Sequence, residues 1–468
     1  MLKTVVILVM ATAWAQVAQG SVVNCDPTAN TLAQCITSAT TGGTMAGTVV
    51  LVPNSTTSVF SIPSTVSIPS NMALRCEPNA TIRQNGASSA LLMASGVENI
   101  TLEGCIIDGS NGSTPGLVLE NVSRVRVSHN TFQNFQAEGL TSYPGGGWTD
   151  VEIDGNVFSF VGPTGLNDSA LYLYAQNGTA GSSRIKIHHN TCNNLGQQSG
   201  CMKFAASASK TLTQVAVTNN TLNVGTGTSS NNNLGIEFFA TDGNDADIQK
   251  FTVADNIVTT NAGSSGTSCL SIGGRYGVIA DNALSNCQLF GIEVIASYTN
   301  VIGNTLTSTG PISWDGNHAT HAVVLITDNT MTSSVGVAAV HISAGFGGSF
   351  GLNTGIVGHN VIRIPAGSAA GVLVQTIATG AVTDIHIDDN IFDAFASSQR
   401  AVDSEGSPAQ VQIENNRFIN DSGIGIFLNA GVNFTIRLNY FNGTTWLANN
   451  GATITRSLEN IVNGSCCF

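Results

Sequence analysis

At 468 residues the chain exceeds the roughly 100 to 200 that one compact globule usually holds, so it is either several domains or one long repeat array. Only 10% of its residues are charged, against about 25% in an ordinary protein, but 42% are hydrophobic, which excludes a chain held open by its own charge. A net charge of −13 excludes a general nucleic-acid or anionic-membrane surface, because both need clustered Lys and Arg, and it weighs against strongly anionic glycans unless a cation intervenes.

From the start of the chain, Lys3, an apolar run from Val5 to Trp14 and the small residues Ala18 and Gly20 have the layout of a cleavable secretory signal over residues 1–20. The run is shorter than the roughly 20 residues a bilayer span needs, and no later stretch reaches that length without polar interruption. The expectation is therefore a secreted, extracellular protein with no membrane insertion. Ten cysteines then read mainly as disulfides. Cys192 with Cys201, Cys269 with Cys287 and Cys76 with Cys105 have suggestive spacings, while the partners of Cys466 and Cys467 stay open.

Leu32, Cys35 and Ile36 fall at helical spacing within Asn30 to Ser38, and the strand Val49 to Pro53 and the stretch Ile68 to Cys76 follow. Residues 21–75 thus read as an N-terminal cap with entry strands, and residues 76–468 as the repeat array. From Val125 onward one pattern recurs, apolar-x-apolar-x-x-Asn-x-apolar, centred on Asn130, Asn156, Asn190, Asn220, Asn256, Asn282, Asn304, Asn329, Asn360, Asn390, Asn416, Asn439 and Asn460. Its period of roughly 21 to 36 residues is that of a solenoid. Asn tolerates the left-handed backbone of a sharp turn, and in stacked coils its amides can form a ladder. Between the Asn motifs lie further short strands, including Leu171 to Tyr174, Met202 to Ala205, Ile236 to Phe239, Leu270 to Gly273 and Ile292 to Ile295, giving about three strands per coil.

On these motifs the chain resembles the pectin-lyase-like superfamily of right-handed parallel β-helices over essentially all of residues 21–468. The resemblance implies an all-β, right-handed parallel β-helix solenoid of about a dozen or more coils, with a short helix covering the first coil's open edge. It also implies polysaccharide as the partner and cleavage on the outer face of the strand that follows the variable loop.

With Leu171, Met202, Ile236, Leu270 and Ile292 inward, strand alternation turns Tyr172, Lys203, Glu237, Ser271 and Glu293 outward in one row. Tyr174, Phe239 and Arg275 follow two or more positions on. Strands stacked about 4.8 Å apart set the backbones of Glu237 and Glu293 roughly 9 to 10 Å apart, near the upper carboxyl separation of inverting glycosidases. Asp315, in Trp314-Asp315-Gly316-Asn317-His318, is an alternative acid or base. Tyr172, Tyr174, Phe239, Ser271 and His318 are candidate substrate-binding residues, the aromatic ones through sugar faces.

A lyase would instead use Lys203 as base and Arg275 as the cation facing a uronate, with calcium held by Asp242, Asp245 and Asp247. Outside that option no cofactor and no metal ligand set is assigned. His318 and His321 read as turn or surface residues, and His188 and His189 as part of a repeat strand. The motifs of the polygalacturonases, alginate epimerases and classical pectate lyases are missing, apart from Arg184-Ile185-Lys186 inside an ordinary repeat strand. Hydrolysis is favoured over elimination by the acidic balance, and a non-catalytic glycan-binding, adhesion or structural role is the alternative. No oligomeric state is legible.

Overall fold

In the computed structural model the described residues are 21–40, 47–54, 57–85, 90–142, 146–161, 169–175, 181–194, 200–206, 210–225, 233–240, 247–260, 266–316, 320–334, 336–344, 350–377, 379–393 and 399–466. Each coil contributes three strands, as in Ser169–Ala175, Ser182–His188 and Thr191–Asn194. Each strand pairs in parallel with its equivalent in the next coil, for example Ile185 with Val215 and Val215 with Phe251. Parallel neighbours joined through the rest of a coil are crossover connections, which adopt the right hand. The chain is a right-handed parallel β-helix with three sheets.

The strands from Val22 onward stack into these same sheets, Val22–Cys25 on Thr48–Leu51 and Thr48–Leu51 on Ala73–Cys76. Helix α1, Leu32–Thr40, covers the exposed edge as expected, burying Leu32, Cys35, Ile36 and Ala39. A capping box starts it. Thr31 Oγ1 accepts from the Gln34 N–H at 3.2 Å, and Gln34 Oε1 accepts from the Thr31 N–H at 2.8 Å. The disulfide Cys25–Cys35 ties the helix to the first strand, a pair that spacing alone did not suggest. The three suggested pairs, Cys76–Cys105, Cys192–Cys201 and Cys269–Cys287, are all present.

The thirteen motif asparagines form one buried ladder. Asn256 is representative: its Nδ2 donates to Val217 O at 2.9 Å, Ala254 O at 3.0 Å and Asn282 Oδ1 at 3.0 Å. Its Oδ1 accepts from the N–H and Nδ2 of Asn220, both at 3.0 Å. The amide-to-amide bonds recur down the stack to Asn460, and at the other end Cys105 donates its N–H to Asn130 Oδ1. Beside the ladder runs the apolar interior, with stacked pairs such as Phe132–Phe158 at 5.1 Å and Phe392–Phe418 at 4.9 Å.

One expectation about the turn is corrected. The left-handed residue is the one before each ladder asparagine, among them His189 (φ 54°), Asp255 (φ 56°), Asp281 (φ 54°) and Gly303 (φ 70°). The division has a physical cause. The ladder position needs a buried amide, whereas the preceding position needs only a positive φ, which Asn, Asp, His and Gly supply most readily and which Leu438 and Glu459 adopt in the last two coils.

A second left-handed column lies six residues before the ladder, through Arg184, Lys250, Tyr276, Tyr298 and Val323. Val323, at φ 55°, is β-branched and bears the full steric cost of that conformation. Val323→Asn is expected to raise the unfolding free energy by about 1 kcal/mol in urea denaturation. A decrease would mean that the isopropyl packing outweighs the backbone strain.

Ile461–Val462 and Ser465–Cys466 form an antiparallel hairpin, with Asn463 (φ 49°) and Gly464 (φ 78°) at its turn. Ser465–Cys466 thereby pairs with the far edge of the strand Ile461–Val462.

Candidate active site

The first strand of successive coils sets Tyr172 beside Lys203, Lys203 beside Glu237, Glu237 beside Ser271 and Ser271 beside Glu293. The row then continues through Ser313 to His341. The expected outward row is thus one column in strict register. Its inward partners Leu171, Met202, Ile236, Leu270 and Ile292 are buried in the core.

Lys203 Nζ lies 3.0 Å from Glu237 Oε2, with side-chain exposures of only 7% and 14%. The ammonium also sits 5.8 Å from the Tyr172 ring centroid and 5.3 Å from that of Phe239. A cation held between two rings and a carboxylate is fixed in place, and it fixes Glu237 in turn. Tyr172 and Tyr174 pack ring against ring at 5.5 Å. Phe239 keeps 40% of its surface exposed beside them.

Glu293, two coils from Glu237, takes a different partner. Ser271 Oγ donates to its Oε2 at 2.5 Å. Burial pushes the Glu293 carboxyl up to about 7, against the pull of the Ser271 hydroxyl, and the nearby Asp315 and Glu237 charges push it further the same way. Asp315 stands two residues beyond Ser313 on the next coil and is buried, accepting from Ser313 Oγ at 3.0 Å and Ser343 Oγ at 2.7 Å. Its carboxyl is also raised, first by burial, with the Ser343 hydroxyl and the His341 and His321 imidazoles opposing.

The other sequence candidates fall as follows. Arg275 belongs to the strand itself, Thr267–Arg275, and sits at its end beside Ser297, four residues past Ser271. His321 is buried rather than on the surface, because it opens the strand His321–Thr327, and its Nδ1 lies 3.4 Å from Ser297 Oγ. His318, Asp242 and Asp245 lie outside the described residues. Asp247, the third residue of the acidic loop, is buried.

Ser313, His341 and Ser343 were not singled out from the sequence, although the same coil count carried two strands further would have placed all three. Asp403, later in the same row, was likewise passed over. It is buried, 2.6 Å from Arg400 Nη1, and burial raises its carboxyl.

This arrangement can hold one carboxyl protonated near neutrality while a second is kept beside a fixed cation, on a face edged by aromatic rings. A raised carboxyl two coils from one held against an ammonium is an arrangement that an acid and base pair can use.

No family model and no curated protein sequence matches the chain. Among solved structures it is similar to PfbA, a surface adhesin of Streptococcus pneumoniae, at 11% identity and TM-score 0.40 over 92% of this chain and 88% of that one. It is also similar to the tailspike protein of E. coli bacteriophage HK620, solved in complex with a pentasaccharide, at 12% identity and TM-score 0.45 over 92% of this chain and 74% of that one. The four disulfides fit an oxidising, extracellular setting, and no helix among the described residues is long and apolar enough to cross a membrane. By its own strand pairing and coil connectivity, the chain is a right-handed parallel β-helix.

Proposed function

We propose that the chain is an extracellular glycoside hydrolase that cleaves a polysaccharide on the outer face of the first sheet, with inversion. The observation carrying this reading is Glu293, whose carboxyl is raised to about 7 while hydrogen-bonded to Ser271 in the same column as the Lys203–Glu237 pair. Glu293 gives its proton to the glycosidic oxygen as the bond to the anomeric carbon breaks. Glu237, oriented by Lys203, takes a proton from the water that attacks that carbon from the other side. Backbones two coils apart leave room for the water. Tyr172, Tyr174 and Phe239 supply apolar surface for sugar rings.

Elimination fits less well, because Lys203, its natural base, is already engaged by Glu237. Incubation with plant, algal and microbial glycans separates the two reactions. Reducing ends without unsaturated-uronate absorbance are the expected outcome, and absorbance from the new double bond would replace hydrolysis with a lyase reaction.

Glycan binding without cleavage is favoured by a different feature. Tyr276 and Tyr298, 54% and 45% exposed, stack at 5.2 Å on the corner that follows the first sheet and form an open aromatic platform. In this second reading the Glu293→Gln variant and the native chain are retained equally on a glycan column, and neither releases reducing ends. Tyr276→Ala loses the retention.

A further inference from the structure

A second cluster lies on the second sheet, away from the acid row. Trp148–Asp154 and Ser182–His188 are neighbouring strands of adjacent coils, with Glu152 beside Lys186 and Asp154 beside His188. His189 follows in the left-handed position before the ladder. Three lone-pair atoms converge there. His188 Nδ1 and His189 Nδ1 are 2.9 Å apart, and they lie 3.1 and 3.2 Å from the same oxygen, Asp154 Oδ1.

The protons do not suffice for three such contacts. His188 Nε2 faces Glu152 Oε1 at 3.2 Å, and an ionised carboxylate only accepts, so the tautomer that satisfies this contact carries its hydrogen on Nε2 and presents a bare lone pair at Nδ1. In that tautomer at most one hydrogen, on His189 Nδ1, is left among the three converging atoms. A cation satisfies all of them at once.

The spacing also has a meaning. Ligand atoms about 2.0 to 2.1 Å from one ion are about 2.9 Å apart on an octahedral face and about 3.3 Å apart in a tetrahedron, and the three observed separations lie within that interval. Two imidazoles and one carboxylate on a common face form a ligand set for divalent transition ions. Glu152 behind His188 is the outer carboxylate that typically orients a ligating imidazole. His189 is largely exposed and Asp154 and His188 are partly so, which leaves the remaining coordination positions facing solvent.

We infer that Asp154, His188 and His189 form a binding site for a divalent transition ion of the zinc class, which ties two coils of the helix together and stays open to solvent. The site is independent of the acid row and of the activity proposed for it.

Zinc titration of the chelator-treated full-length chain, followed by calorimetry, tests this. One saturable site per chain is expected. His188→Gln and His189→Asn should each weaken it at least tenfold; asparagine keeps the tolerance for positive φ that position 189 requires, so the backbone is preserved. Glu152→Gln should weaken it by about 10- to 100-fold without changing the stoichiometry. Circular dichroism confirms that each variant is folded before titration. No saturable uptake by the native chain, or native affinity in either folded histidine variant, overturns the assignment.

Discussion

Asn256→Ala is expected to lower the unfolding free energy by about 3 to 5 kcal/mol, measured by urea denaturation with the disulfides intact. The substitution removes the bonds that the two Nδ2 hydrogens give to three acceptors and leaves the buried N–H of Asn220 without its acceptor, while Asn282 Oδ1 keeps only the backbone N–H of residue 256. Each buried polar group left unsatisfied costs about 1 to 3 kcal/mol. The neighbouring Asp255→Asn change is the control. Its side chain occupies the exposed left-handed position, and asparagine accepts that conformation, so the effect should stay within about 0.5 kcal/mol. A loss below about 1 kcal/mol for Asn256→Ala would mean that the ladder follows from the coil geometry without stabilising it.

Glu293→Gln has the second large effect, and it acts on activity and stability in opposite directions. Activity should fall by about 100- to 10,000-fold, because glutamine cannot donate the proton that the leaving oxygen needs. Stability should change with a definite sign. The native carboxyl is raised from 4.5 to about 7, so the folded chain holds the proton more tightly than the unfolded one. The stability this group contributes is complete below about pH 4.5 and is lost as the pH rises through 7. Glutamine has no such titration.

The variant should therefore match the native chain near pH 4 and exceed it by about 3 kcal/mol at pH 8, since each tenfold difference in proton affinity between the folded and unfolded chain is worth about 1.4 kcal/mol. Denaturant midpoints at the two pH values give the difference directly. Equal stabilities at pH 8 would show that Glu293 ionises at an ordinary pH and is unsuited to the acid role.

The coil architecture was legible because its cause is local and repeated. Asn130, Asn156 and their successors announce the ladder, and a fixed count from it identifies Lys203, Glu237, Ser271 and Glu293 as one outward column. What could not be read was which groups in that column would pair. The Lys203–Glu237 contact and the Ser271–Glu293 hydrogen bond depend on rotamers chosen by neighbouring coils, and sequence periodicity carries no information about those.

The left-handed residue was misplaced by one position for a related reason. Asparagine suits both a ladder and a turn, and only the geometry divides the roles between Asn190 and His189. That division also hid the His188, His189 and Asp154 cluster, whose members read as ordinary repeat residues until two coils are laid side by side. Cys25 and Cys35 are similar, since their pairing depends on where α1 packs against the first strand.

The proposed activity is tested most directly by reducing-end release from a glycan that the native chain degrades, compared between native and Glu293→Gln protein at pH 6. The account predicts rapid release by the native chain, release slower by about 100-fold or more in the variant, and unchanged retention of the variant on the same glycan. Equal rates for the two proteins would contradict it and remove Glu293 from the chemistry.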